Sequence, residues 1–325
     1  MKLFSQSIPL QGAVILAIAM LLWRAAFAAP PALPAEGGGV LYGIVAGWFA
    51  NAPLAAAITA LVLVVTEGLM LNLLLADHSL TPQNSLLPTL LYVICMSAPA
   101  TTLTPMVLAN AVLIVCTRQL LLKGTLLTIS TDRACTATAM IGLSSMFYLP
   151  SALLMASYML AAINYRLYSW KDWAVLFLGF LAPYAMMAIV MMFTGGLPEW
   201  WQSVAASIGA MHVGFGDFTL LQALGNGVLL ALLVAGVASV WSLSGERTVV
   251  WQKNATTMLV FIVGAMAMLI FTRLFTADMQ FFAIPFAFCV TCLLTPSAHT
   301  VGRKKRKEWV YTALLILTFI ATMIC

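Results

Sequence analysis

Residues 55–65 read AAAITALVLVV, eleven positions in which Thr59 is the one polar residue. An outer-membrane-type strand alternates apolar and polar positions, and an unbroken run of this kind does not. The run continues through Glu67 and Asn72 to Ala76, so residues 53–76 form one long apolar segment. In hydrocarbon every backbone N–H and C=O must be satisfied within the protein, which leaves a helix as the reading of such a segment.

The rest of the chain has the same character. Of 325 residues, 63% are hydrophobic and 8% charged, with a mean hydropathy of +1.03. Soluble domains carry roughly 25% charged residues, so an aqueous fold cannot hide this much apolar surface. A crossing helix needs about 20 apolar residues, because the hydrocarbon layer is about 30 Å thick. Reading apolar runs between polar breaks predicts eleven spans, at 10–28, 53–76, 86–98, 105–121, 134–148, 151–165, 173–194, 219–242, 255–273, 280–295 and 310–325. The fold class expected is all-α, a single polytopic transmembrane bundle over residues 1–325. The first run, Leu10 to Ala29, follows Lys2 and ends in small residues as a signal peptide does. Arg24 interrupts it late, which favours an uncleaved span.

Basic loops resist translocation. Lys2, Arg118, Lys123, Arg133, Arg166, Lys171, Arg247, Lys253 and the run from Arg303 to Lys307 fall on one predicted side, thirteen of the fifteen Lys and Arg residues. The expectation is a cytoplasmic N-terminus, a C-terminus outside, and a bacterial inner membrane. The run GRKKRKEW at 302–309 sets topology and attracts anionic lipid headgroups. Spans 86–98, 105–121, 134–148 and 151–165 are short, and form two hairpins broken at 99–105 and at Leu149-Pro150. Helices of that length must be tilted, re-entrant or shielded by protein, and make the expected walls of a cavity.

Two longer external segments are predicted. One carries AAPPALPAEGGG (28–39) and VLYGIVAGWFA (40–50); the other carries LPEWWQSV (197–204) and AMHVGFGDF (210–218). Trp200 and Trp201 beside Glu199 predict an interfacial helix. The cysteines are scattered through apolar runs and read as buried thiols, Cys289 and Cys292 included.

Glu67 is the acid near the middle of a span, with Asn72 beyond it; an ionisable group there is usually paired, neutralised or beside water. On the outer side lie the acids Glu36, Glu199, Asp217 and Asp278 and the bases Arg24, Arg273 and His212. A site handling a lipid phosphate needs a guanidinium to hold oxygens and a carboxylate to take a proton from an incoming hydroxyl. No Walker loop, dinucleotide fingerprint, HExxH or GxSxG occurs, so no cofactor, metal or nucleotide coupling is expected, and no nucleic-acid partner.

The stretch LLPTLLYVICMSAPATTLTPMVLANAVLIVCTRQLL (86–121), a basic loop, and ATAMIGLSSMFYLPSALLMASYMLAAINYRLYSWKDWAVLFLGFLAPYAMM (137–187) resemble the middle of GT-C glycosyltransferases, which use polyprenyl-phosphate sugars. A glycine-bearing helix leads through a proline break into another helix, a basic loop and a Gly-Phe-Leu span. Most of the chain is also similar in outline to a family of Bacteroidota polytopic inner-membrane proteins. The resemblance implies a protein that binds or processes a polyprenyl-linked glycan on the periplasmic side, with Glu36 as candidate base, Arg24 and Arg273 as phosphate holders, and Asp217 or Asp278 as auxiliary ligands. The chain departs from the GT-C pattern by lacking an Asp-Glu pair in the first external loop, and by having no acid between Thr101 and Pro105. Two alternatives stand beside it: a non-catalytic subunit of a secretion or envelope-assembly complex, with other envelope membrane proteins as partners, and a secondary transporter built on Glu67.

Overall fold

The computed structural model describes residues 8–34, 38–82, 84–97, 102–123, 128–167, 169–210, 220–271 and 279–295. Among these, all regular structure is helical. In chain order the helices are α1 (Ile8–Leu22), α2 (Arg24–Ala28), α3 (Val40–Phe49), α4 (Pro53–Asp77), α5 (Leu87–Met96), α6 (Pro105–Leu120), α7 (Thr131–Phe147), α8 (Leu154–Asn164), α9 (Trp170–Thr194), α10 (Leu197–Ala210), α11 (Leu220–Ser244), α12 (Val249–Phe271) and α13 (Ala283–Leu294). Tighter 3-10 turns, Leu149–Leu153 and Met279–Phe282, lead into α8 and α13.

The expected spans up to 295 fall on helical segments, 10–28 on two of them, α1 and α2, and the run at 310–325 lies outside the described residues. Among the described residues four helices have the length and apolarity of a full crossing: α4, α9, α12 and the Leu224–Ser244 part of α11. At about 1.5 Å per residue the 25 residues of α4 reach roughly 37 Å, more than the hydrocarbon thickness. Local chemistry sets the boundaries. Proline opens α4, α5 and α6 where a missing N–H costs nothing. Thr104 and Ser169 cap α6 and α9, and Gly195, at φ 76°, closes α9 in the left-handed conformation.

Burial divides the helices into two classes. All ten residues of α5 and eleven of the twelve in α13 are buried, whereas α9 buries two of twenty-five, Leu176 and Gly179. A helix apolar on every side and buried on every side is a core element. Thus α5 and α13 pack on each other in the middle, with α4 against α5 and α11 against α13. Spans 86–98 and 280–295 are therefore short because protein shields them.

Without a hydrophobic drive in lipid, helices associate where backbones approach closely. A Cβ on Gly236 of α11 would stand 2.8 Å from the Cys289 carbonyl carbon of α13. At Gly68 of α4 it would stand 3.1 Å from Thr89 Cγ2 and 3.4 Å from Tyr92 Cδ1 of α5. Contacts through Gly142 and Gly179 similarly let α7 and α9 meet.

Polar contacts gather at each end of the bundle, beside a few buried within it. At one end Lys123 pairs with Asp77 at 3.2 Å, and Arg133 donates to the carbonyls of Arg118 (3.3 Å) and Leu121 (3.1 Å). There Asn254 clamps Leu122, accepting from its N–H at 2.8 Å and donating to its carbonyl at 3.0 Å, and Asn164 donates to the Lys253 carbonyl at 3.0 Å. This is the basic end. At the far end Trp23 donates to Ser97 Oγ (2.9 Å), and the Tyr42 hydroxyl to the carbonyls of Leu103 (3.1 Å) and Pro34 (3.2 Å).

Candidate functional site

The far end carries a pocket of about 240 Å³ where α3, α7, α9 and α10 converge, walled by Gly39, Ser145, Tyr184, Trp200, Ser203 and Ser207 among others. Glycine is required at its edge. Gly39 N–H donates to the Phe147 carbonyl at 2.8 Å, and a Cβ there would run into the Met146 carbonyl. Helix α10 carries the tandem tryptophans, and the two indoles part company. Trp201 is 65% exposed, whereas Trp200 is turned inward at 7%.

The pocket's hydrogen-bonding capacity is lopsided. Ser145 donates to the Gly142 carbonyl at 2.6 Å and stands 2.7 Å from the Tyr184 hydroxyl. Ser203 and Ser207 donate back along α10, to the carbonyls of Trp200 and Ser203, both at 2.8 Å. Their hydrogens are thus used within the protein and their oxygens remain as acceptors. The complementary donor is Trp200, whose Nε1–H is buried and has no partner. A ligand satisfying this wall must both donate and accept, as a hydroxyl-rich group does. A phosphate offers acceptors alone. In α3, burial pushes the pKa of the Tyr42 hydroxyl up to about 12, so it stays protonated and donating.

An apolar groove of about 420 Å³ runs beside the pocket on the outer face of α7 and α9, lined by Leu41, Met140, Leu143, Pro183, Met186 and Met187 among others. Met146 lines both, so the two lie on either side of one buried side chain. Methionine-rich walls are adaptable and suit a flexible apolar chain.

Of the outer-side residues singled out in the sequence, Arg24 and Glu199 are described. Arg24 starts α2 and Glu199 lies in the first turn of α10; both are exposed, and no ion pair joins them. Glu36, Asp217, Asp278, Arg273 and His212 lie outside the described residues. Glu67 and Asn72 are both buried, at 2% and 4% exposure. The Tyr92 hydroxyl donates to Glu67 Oε2 at 2.7 Å, and Oε1 has no partner. Among the described residues no His, Cys, Asp or Glu cluster could hold a metal ion, and Cys289 and Cys292 are buried free thiols. Sequence reasoning missed Ser145, Tyr184, Ser203 and Ser207. The available signal was a set of hydroxyls within otherwise apolar segments, GLSSMF and LAPYAMM.

Comparison of the chain with protein-family models, with curated proteins and with solved structures finds no match.

Proposed function

We propose that this multi-pass membrane protein binds a lipid-linked glycan at the far end of its bundle, the sugar in the hydroxyl-lined pocket and the polyprenyl chain along the methionine groove. The observation that carries the reading is that a hydroxyl-lined pocket and an apolar groove adjoin across one residue, Met146. A ligand that is polar at one end and a long hydrocarbon at the other suits that pair of neighbours, and the wall's need for donors favours a sugar over a bare phosphate. With basic residues retained inside, the basic end is cytoplasmic and the pocket opens on the periplasmic side of a bacterial inner membrane.

On the GT-C-like reading Glu36 is the proposed base. It precedes the pocket residue Gly38 by two positions in the chain. Arg24 and Arg273 are the proposed phosphate holders, with Asp217 or Asp278 as auxiliary groups.

The test is mass spectrometry of lipids retained in mild detergent by the wild type, by Ser203→Trp, which fills the pocket, and by Arg24→Ala/Arg273→Ala. A polyprenyl-linked sugar present in the first and lost in the others supports the reading. Bulk phospholipid, equal in all three, overturns it; a stable partner protein in the same preparation would instead support a subunit of an envelope-assembly complex. One observation favours a secondary transporter as the second reading, namely the buried Glu67 with one oxygen unpartnered.

A further inference from the structure

We propose that Glu67 is a proton-binding site in the core of the bundle, connected to the far end through Tyr92, Asn110 and Gln280. It is independent of the lipid pocket, which lies on other helices.

Glu67 sits in the middle of α4, and Gly68 beside it allows α5 close enough for Tyr92 Oη to reach Oε2. Asn110 of α6 is buried at 1% exposure and donates to Met96 Sδ at 3.3 Å. Its amide also donates to the Gln280 carbonyl at 3.4 Å, and Gln280 donates to the Met96 carbonyl at 3.4 Å. Met96 ends α5 beside Ser97, to which Trp23 donates. A line of buried polar groups therefore leads from the acid to the break between α5 and α6.

Neither charge state of Glu67 is complete as it stands. A carboxylate would leave Oε1 bare in the core, and a carboxylic acid would leave the Oε1 proton with no acceptor. The missing partner is a small polar one that can donate to the carboxylate and accept from the acid, as water does. Hydronium gives its proton to Oε1, and the water left behind accepts from the new O–H, while Tyr92 keeps its own proton and goes on donating to Oε2. Three other buried polar atoms without partners follow along the same helix and its end: Asn72 Oδ1, His78 Nε2 and Thr81 Oγ1. They continue the polar line toward the basic end.

Among the described residues no cation is paired with the acid. The titratable and charged groups on helices packed against α4 are Tyr92 and Cys95 on α5, Cys116 and Arg118 on α6, Arg24 on α2 and Tyr42 on α3, with none on α1. Asp77 and His78 are its own, at the basic end beside Lys123. Arg118 is in the last turn of α6, at that same end.

The test is infrared difference spectroscopy of the full chain in lipid nanodiscs, between acidic and alkaline buffer and in H2O against D2O. The expected result is a carboxyl C=O band that grows on acidification, shifts in D2O within the mixing time, vanishes in Glu67→Gln and moves in Tyr92→Phe. A wild-type band that ignores both pH and D2O marks a sealed neutral acid and overturns the proposal, as does a titrating band that persists in Glu67→Gln. If Glu67→Gln does not fold, Glu67→Asp, which keeps a carboxyl but alters its surroundings, should shift the band, and a band unmoved by it overturns the proposal.

Discussion

Replacing Asn254 by leucine removes the clamp that ties the start of α12 to the end of α6. Asn254 and Leu122 are both 0% exposed, and the amide makes two bonds to the Leu122 backbone, at 2.8 and 3.0 Å. Each neutral bond is worth about 1 kcal/mol in soluble proteins, and about 0.6 on average within membranes. The substitution does more than delete these bonds. Leucine occupies a similar volume, so water gains no room, and the Leu122 N–H and carbonyl are left buried without partners at about 1 to 3 kcal/mol for each group stranded. The expected loss is about 2 to 4 kcal/mol, read from equilibrium unfolding in mixed detergent–SDS micelles followed by circular dichroism. Asn254→Asp can still accept from the Leu122 N–H but cannot donate to its carbonyl, and should fall between the two. A value for Asn254→Leu within about 0.5 kcal/mol of wild type, the range of an ordinary surface change, would refute the view that this clamp holds the basic end together.

Gly68→Ala should cost about 1 kcal/mol, because crowding against Thr89 and Tyr92 outweighs alanine's better helix propensity; Gly227→Ala, with open space around it, should be neutral or slightly stabilising in the same unfolding assay. Burial and the nearby Lys123 and Arg133 charges lower the His78 pKa, against the pull of its bond to the Leu74 carbonyl. The unfolded chain therefore binds this proton more readily than the native protein, and the stability that His78 contributes is lost as pH falls below roughly 6.5. Melting temperatures across that range should show a steeper acid-side fall for wild type than for His78→Gln, and equal slopes would count against a buried neutral imidazole. Tyr184→Phe removes the hydroxyl beside Ser145 while leaving the groove, so retained lipid should persist but lose preference for a sugar-bearing species, as measured by mass spectrometry of mixed-lipid competition.

The helices were legible because hydropathy is a property of each segment alone. Span 53–76 became Pro53–Asp77, and span 105–121 became Pro105–Leu120. The sequence could not distinguish a helix facing lipid from one enclosed by protein, since both are apolar; α9 and α13 read alike and are opposite in burial. Glu67 announced itself by its cost in an apolar run, but its partner Tyr92 lies 25 residues away and is chosen by the Gly68 contact. The pocket was hidden for the same reason. Gly39, Ser145, Tyr184 and Trp200 come from four separate helices or their flanks, and no local pattern links them. Tandem tryptophans predicted an interfacial helix, and only packing decided which indole turned inward.

The most direct test of lipid-linked glycan binding is photo-crosslinking with a polyprenyl-phosphate sugar that carries a photoreactive group on its chain, followed by peptide mapping of the full-length protein. Labels are expected to concentrate on the groove side of α7 and α9, at Met140, Met186 and Met187, competed by unlabelled sugar lipid and lost in Ser203→Trp. Labels spread over the other lipid-facing helices, such as α11 at Val234 and α12 at Val263, and unaffected by competitor, would contradict it.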